Sequence, residues 1–76
     1  MANLPQTIAD LTPTQKAIIK RVQSESIWIQ RLMTLGLVEG TEIEYVGAAI
    51  GGDPIEIKVN GASMSIRKEC AELFEI

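Results

Sequence analysis

A chain of 76 residues with 46% hydrophobic and 22% charged residues is sufficient for one small folded domain and is too apolar to be disordered. It has no histidine and a single cysteine, which excludes an internal disulfide and removes the commonest general base and transition-metal ligand. The net charge of −3 argues against nucleic-acid binding, because such proteins cluster lysine and arginine against phosphates.

The first residues predict a tail followed by an extended segment. Residues 1–6 are expected to be flexible, and they lack the basic start and apolar core of a signal peptide. No apolar run is long enough to span a membrane, so we expect no membrane span. The single cysteine fits a reducing cytosol, and a cytoplasmic location is expected. Residues 7–11 predict a short edge strand or an extended segment, with Ile8 and Leu11 against the core. Residues 12–15 predict a turn, since proline presets φ there.

A strand and a helix start follow. Residues 16–23 are rich in β-branched side chains and predict one strand. Ile18 and Ile19 are adjacent and cannot face the same way, so either a β-bulge occurs there or one isoleucine is partly exposed. The next residues offer helix N-caps: Ser24, Glu25 and Ser26.

A helix is predicted over Ile27–Leu35, and it is more apolar than its length requires. One apolar stripe is formed by three residues at i, i+4 and i+7: Trp28, Leu32 and Leu35. Ile27 and Met33 point away from this stripe. Two interpretations stay open: the helix is a broad lid over a small core, or Ile27, Met33 and Trp28 form an exposed contact surface.

The helix is expected to end in a tight turn that leads into a strand. Gly36 follows the last apolar position, where a residue without Cβ most easily adopts a left-handed stop. A turn containing Gly40 comes next. Residues 41–49 then alternate polar and apolar, which predicts a third strand with Ile43 and Tyr45 inward.

Two hairpin connections are predicted in the second half. The first is built from Gly51, Gly52, Asp53 and Pro54. We expect Asp53 to accept hydrogen bonds from the backbone of its own loop. The segment opens a strand and has no lysine, which argues against a phosphate-binding loop. Ile55–Val59 alternates cleanly, and Asn60-Gly61 predicts a two-residue hairpin turn with positive φ.

Three elements complete the chain: a strand at 62–67, a short helical turn at 68–72 and a final strand at 73–76. Met64 and Ile66 are expected to face inward. Phe74 and Ile76 are expected to close the barrel. About five short strands, two helical pieces and tight turns predict a mainly β protein built as a small, partly open barrel.

Three motifs in order carry a family resemblance. The pattern Arg-Leu-x-x-Leu-Gly-Leu-x-x-Gly-Thr-x-Ile begins at Arg31, Gly-Asp-Pro-Ile begins at Gly52, and Ser-Ile-Arg-Lys begins at Ser65. From about residue 11 to residue 76 the chain resembles the FeoA family of small cytosolic ferrous iron transport A proteins. A related domain closes the iron-dependent repressors of the DtxR type. The resemblance implies one domain over residues 7–76, an SH3-like barrel with one inserted α-helix.

The residues predict no catalytic, cofactor or metal site, and we expect a protein that is not an enzyme. Cys70 has no histidine to activate it and is expected to fill the core. The carboxylates of Glu42, Glu44 and Glu56 lie on neighbouring strands, where surface glutamates are usually solvated. The family resemblance implies an association with transition metal ion binding, but the sequence shows no ligand set for it.

The resemblance implies a partner, the membrane GTPase transporter FeoB. Candidate contact residues are Ile27, Trp28, Arg31, Met33, Leu37 and Val38. Arg31 and Arg67 match basic positions of the family motifs; we expect a structural role for Arg67 and leave Arg31 open. The alternative is a regulatory SH3-like domain acting on a metal-dependent transcriptional regulator, which could not read DNA alone. A homo-oligomer through Ile27, Trp28 and Met33 also stays open.

Overall fold

The fold is built from six short strands, two helices and one 3-10 turn in the part of the chain that the computed structural model describes, residues 6–23 and 26–76. The strands are β1 (Lys16–Ile18), β2 (Arg21–Val22), β3 (Glu42–Ala48), β4 (Ile55–Val59), β5 (Ala62–Ile66) and β6 (Phe74–Glu75). The helices are α1 (Ile27–Thr34) and α2 (Lys68–Ala71), and the 3-10 turn is Ile8–Asp10. The predicted mainly β class is confirmed.

The strands form two antiparallel sheets. One has four strands in the order β1-β3-β4-β5, and the other pairs β2 with β6. In β4 the alternation is complete, because Ile55, Ile57 and Val59 are buried and the residues between them are exposed. Asn60 and Gly61 have φ of 53° and 83° and form the two-residue turn between β4 and β5.

The predicted N-terminal edge strand is wrong. Thr7 makes one isolated bridge to Glu75, and the chain then enters the 3-10 turn. The turn forms because the Asp10 carboxylate accepts hydrogen bonds from the backbone N–H groups of Gln6 and Thr7, each at 3.0 Å. The expected core positions are nevertheless correct. Ile8 and Leu11 are both buried, and a spacing of three residues places side chains on one side of a 3-10 turn.

The strand predicted over residues 16–23 is divided into β1 and β2. Ile19 and Lys20 lie between them: the Ile19 N–H donates to the Thr41 carbonyl, and the Lys20 N–H donates to the Glu75 carbonyl. The chain therefore passes from one sheet to the other at this point. Ile18 is exposed while Ile19 is buried, which confirms the alternative in which one isoleucine is exposed.

Helix α1 begins where the sequence places an N-cap. The Ser26 hydroxyl accepts a hydrogen bond from the Ile29 N–H at 3.3 Å, whereas Ser24 and Glu25 lie outside the described residues. The predicted stripe does not lie in one environment, because Leu32 is half-buried against the core whereas Trp28 and Leu35 are exposed. Ile29 is fully buried, with half-buried Leu32 and Met33 beside it at i+3 and i+4.

The core lies between the sheets and beneath α1, and it is almost entirely aliphatic. Its buried members are Ile8, Leu11, Ile19, Ile29, Leu37, Ile43, Tyr45, Ile55, Ile57, Val59, Ile66, Ala71 and Phe74. Met64 and Ile76, predicted to face inward, are half-buried and pack against this core. None of the described helices is long and apolar enough to cross a membrane.

Candidate partner-binding surface

The outward side of α1 carries large apolar side chains in contact with solvent. We define the outer face as Ile27, Trp28, Arg31 and Leu35. Ile27, Trp28 and Leu35 are 61%, 66% and 64% exposed. The positions 27, 31 and 35 are spaced by four residues, so they lie in one row along the helix surface, and Trp28 lies beside that row. A folded chain leaves few such side chains in water together, so this cluster is a candidate contact surface.

Both ends of α1 are fixed, which makes the outer face a stable platform. At the C-terminal end the Gly36 N–H donates to the Met33 carbonyl at 3.0 Å, and the Leu37 N–H donates to the Leu32 carbonyl at 3.1 Å. Gly36 has φ of +111°, and a Cβ there would stand 3.3 Å from Nδ2 of Asn60. The helix end thus packs directly on the β4–β5 turn, with fully buried Leu37 beneath it.

Trp28 and Arg31 form a cation–π pair on the outer face. The guanidinium carbon of Arg31 lies 5.4 Å from the centroid of the Trp28 ring, within the range of a cation–π interaction. Such a contact at an exposed site contributes about 0.5–1 kcal/mol. It restricts both side chains, and the guanidinium has several N–H groups for further hydrogen bonds.

The outer face also differs from the rest of the chain in charge. From Ile27 to Val38 the sequence contains one charged residue, Arg31. The whole chain has ten acidic and seven basic residues. An apolar surface with one positive charge therefore lies on a protein whose net charge is negative.

The structure places the predicted contact residues in two different environments. Ile27, Trp28, Arg31 and Val38 are exposed, whereas Met33 is half-buried on the inward side of α1. The assignment of Leu37 to a contact surface needs correction, because its side chain is fully buried. It follows Gly36 into the core, and it holds the helix end rather than meeting a partner.

Leu35 is part of the outer face, although its spacing groups it in one apolar stripe with the half-buried Leu32. The spacing of four residues from Ile27 through Arg31 to Leu35 was the available signal. An arginine in the middle of an apolar row favours a row that faces water, since burying an unpaired guanidinium is costly. Val38, 36% exposed, extends the apolar area just beyond the helix.

The glycine-rich connection between β3 and β4 has a role other than the expected one. Oδ1 of Asp53 accepts a hydrogen bond at 3.0 Å from the backbone N–H of Lys68, the first residue of α2. The expected bonds to its own loop are replaced by this cap on a helix fifteen residues away. The loop itself closes through the Gly52 N–H and the Ala49 carbonyl, at 2.8 Å.

The described residues offer little to a metal ion. No group of three or more His, Cys, Asp or Glu residues within 6–23 and 26–76 has an arrangement that holds one. Cys70 is half-buried against the core, and burial, together with the charge of Glu69, raises the pKa of its thiol. A thiol with a raised pKa stays protonated at neutral pH and is a poor metal ligand or nucleophile.

Comparison with known proteins agrees with this architecture. Residues 6–76 match the family model of the FeoA domain. A fusion protein of Fe(2+) transport protein A and the Fe(2+) transporter FeoB, from Porphyromonas gingivalis, is 28% identical over 69 residues. That match covers 91% of this chain and 8% of the fusion protein, so the chain spans a small part of its relative.

Solved structures extend the likeness to the fold. Iron(II) transport protein A from Clostridium thermocellum is similar with a TM-score of 0.86 and 36% identity, covering 91% of this chain and 43% of that one. Stenotrophomonas maltophilia FeoA complexed with zinc, described as a prokaryotic SH3 domain protein, is similar with a TM-score of 0.77 and 28% identity. This match covers 90% of this chain and 85% of that one. IdeR from T. acidophilum is similar with a TM-score of 0.79 and 28% identity, covering 90% of this chain and 31% of that one.

Proposed function

The chain belongs to the FeoA family, and from that premise we propose that it is an accessory protein of ferrous iron uptake that docks on the membrane GTPase transporter FeoB. The family is one of small SH3-like domains and is not a catalytic family. We assign the docking to the outer face of α1 together with Val38. The protein acts in the cytoplasm in this proposal, where it meets the GTPase portion of the transporter.

One observation carries the choice of partner. In the Porphyromonas gingivalis relative, a segment similar to this chain and a FeoB transporter belong to one polypeptide. Fusion keeps two domains at a high effective concentration, which favours their contact without requiring a tight interface. The same pair, as separate chains, needs a surface of its own to associate.

The outer face has the composition of such a surface. Tryptophan and arginine are the residues most often found at the centres of protein interfaces, where they are surrounded by apolar neighbours that exclude water. Trp28 and Arg31 are in cation–π contact, and Ile27 and Leu35 lie in one row with Arg31 at a spacing of four residues. Docking here changes the state of FeoB by binding one conformation of it more tightly than another, and so biases its nucleotide cycle or its assembly.

A resident metal does not take part in this proposal. The zinc complex of the Stenotrophomonas maltophilia relative raises the question of a metal site. This chain has no histidine, and its described residues contain no cluster of suitable ligands. The donor set therefore does not fit a resident transition metal, and the proposed activity depends on protein contact alone.

The alternative function is regulation of a metal-dependent transcription factor by an SH3-like domain. The likeness to IdeR from T. acidophilum favours it, since 90% of this chain matches 31% of that protein. In this case the same outer face would meet a DNA-binding protein rather than a transporter. Binding to FeoB without binding to the metal-dependent repressor of the same organism would support the first function. The opposite result would support the alternative.

The test is a titration of the purified chain against the cytosolic GTPase portion of FeoB from its own organism, with and without GTP and Fe²⁺. We expect saturable binding that falls at least about tenfold in Trp28→Ser and in Leu35→Ser, because each removes an apolar anchor. Neither change disturbs the core, since both side chains are more than half exposed.

The matched control is Ile50→Ser. Ile50 is also an exposed apolar residue, but it lies at the tip of the β3–β4 connection, away from α1. This variant is expected to bind like the wild type. Equal losses in Ile50→Ser and Trp28→Ser would contradict the assignment of the surface, and no saturable binding by the wild type would contradict the proposed function.

A further inference from the structure

We infer that the Trp28–Arg31 pair is a reader of a carboxylate, so that the partner surface seated on α1 is apolar and carries an Asp or Glu that pairs with Arg31. This inference rests on the proposed function and specifies the chemistry of the partner. It assigns Arg31 as a specificity-determining residue, while Ile27, Trp28 and Leu35 supply the apolar contact.

The geometry gives Arg31 this role. The guanidinium carbon of Arg31 lies over the Trp28 ring, 5.4 Å from its centroid, so the tryptophan restricts the position of the charged group. A planar guanidinium presents its N–H donors around its edge, in the fork arrangement that matches the two oxygens of a carboxylate. The contact with the ring also reduces the conformational entropy that the long side chain loses when it pairs with a partner.

The charge around the pair determines the sign of the charge that the partner surface must carry. Arg31 is the one charged residue between Ile27 and Val38, and within residues 6–23 and 26–76 the ion pair is that of Arg21 with Glu75, so no acid of the described residues pairs with Arg31. Docking an apolar surface over α1 removes water from Arg31. Desolvating a guanidinium without a counter-charge is strongly unfavourable, so a partner that binds here must supply the missing anion.

A protein partner fits these requirements better than a second copy of the chain. In a symmetric contact through this row, the two Arg31 residues would lie within one small interface while the surrounding segment of each copy, 27–38, supplies no acid. Like charges placed together in a desolvated interface are unfavourable. The FeoB portion fused to a similar segment in the Porphyromonas gingivalis relative is the occupant to which we commit.

The experiment measures the dissociation constant of the chain for the cytosolic portion of FeoB between about 50 and 300 mM NaCl. Arg31→Gln keeps a polar side chain and removes the charge. We expect it to weaken binding at least about tenfold, as charge-assisted hydrogen bonds of this kind contribute more than neutral ones. The salt dependence of binding is expected to be smaller in the variant than in the wild type.

Two further variants test which property of Arg31 is recognised, and a stability measurement checks that the loss of binding is not caused by unfolding. Arg31→Lys keeps the charge but not the planar fork, and we expect it to bind with intermediate affinity. Lys58→Gln removes an exposed cation from β4 and is expected to leave affinity and salt dependence unchanged. Thermal unfolding of Arg31→Gln within a few degrees of the wild type shows that its binding loss is not an unfolding effect.

The possible outcomes distinguish failure of this inference from failure of the proposed function. If Arg31→Gln binds with wild-type affinity and salt dependence while Trp28→Ser does not bind, the surface is correct and the carboxylate reader is wrong. Absence of any binding by the wild type overturns both. A concentration-dependent dimer that Arg31→Gln dissociates would identify a second copy as the occupant and would also overturn the inference.

Discussion

The carboxylate of Asp53 caps a helix that begins fifteen residues further along the chain, through a 3.0 Å hydrogen bond from the backbone N–H of Lys68. This contact ties the β3–β4 connection to α2. The buried Ala71 of α2 lies in the same core as Ile8 of the 3-10 turn. One side chain of the glycine-rich connection thus helps to hold the segment that leads into the last strand.

Removal of this cap is expected to destabilise the whole domain. Asp53→Ala leaves the Lys68 N–H without its acceptor, and the loss of a cap of this type costs about 1 kcal/mol. In a domain of this size that corresponds to a decrease in Tm of roughly 4–8 °C. Asp53→Asn keeps an acceptor oxygen and is expected to lose less. Equal stability of the alanine variant and the wild type in urea unfolding would contradict the role.

A second carboxylate makes stability depend on pH. Backbone hydrogen bonds from Gln6 and then Thr7 lower the pKa of Asp10 below its ordinary value of 3.8. A group whose pKa is lower in the folded state stabilises the fold at pH values above 3.8, and this contribution is lost as the pH falls through the lowered value. At neutral pH the effect is fully present.

Asp10→Asn is therefore expected to be less stable than the wild type at pH 7, by roughly 0.5–1 kcal/mol for an exposed cap. The difference should shrink as the pH is lowered below 3.8. Thermal unfolding of both proteins between pH 7 and pH 2 measures it. A difference that stays constant over this range would show that ionisation of Asp10 is not responsible.

Thr14 has a backbone conformation that its side chain disfavours. Its φ is 74°, in the left-handed region, where a β-branched residue is strained. The position is held because the Thr14 N–H donates to the Tyr45 carbonyl at 2.9 Å. Thr14→Asn is expected to stabilise the domain by about 0.5–1 kcal/mol, since asparagine tolerates this region.

Thr12→Asn is the control for that change, because Thr12 lies in the same turn and does not have a positive φ. Urea unfolding of the three proteins gives the comparison. An equal effect of the two substitutions would mean that strain at Thr14 is not the cause.

Tryptophan fluorescence reports on the outer face without labelling. Trp28 is the single tryptophan of the chain, and it is 66% exposed. We expect acrylamide to quench its emission readily in the free protein and much less when the cytosolic portion of FeoB is bound. A FeoB fragment without tryptophan is used, so that its emission does not interfere with that of Trp28. Unchanged quenching in a saturated complex would place the interface elsewhere.

Exposed and buried residues of the same segment are expected to differ in their effect on stability. Ile29→Ala removes a fully buried side chain and should cost about 2–4 kcal/mol. Leu37→Ala should have a similar cost for the same reason. Leu35→Ala removes a largely exposed side chain and should leave Tm within a few degrees of the wild type. A large loss in Leu35→Ala would contradict its assignment to the outer face.

The sequence predicted those features that depend on neighbours along the chain. The alternation of β4 gives one buried and one exposed side whatever the strand packs on, and Asn60-Gly61 supplies the positive φ that a two-residue turn needs. The N-cap at Ser26 depends on a contact across three residues. Each of these follows from local geometry, so the sequence by itself determined the β4–β5 hairpin with its turn and the start of the helix.

The tertiary structure decided which side of α1 is buried. Two apolar stripes run along this helix, and periodicity alone does not distinguish Ile29 with Leu32 and Met33 from Trp28 with Leu35. The choice depends on where the helix ends, and Leu37, entering the core after Gly36, fixes that end over the β4–β5 turn. The contact of Asp53 with Lys68 is decided in the same way, because residues far apart in sequence meet only after the sheets have formed.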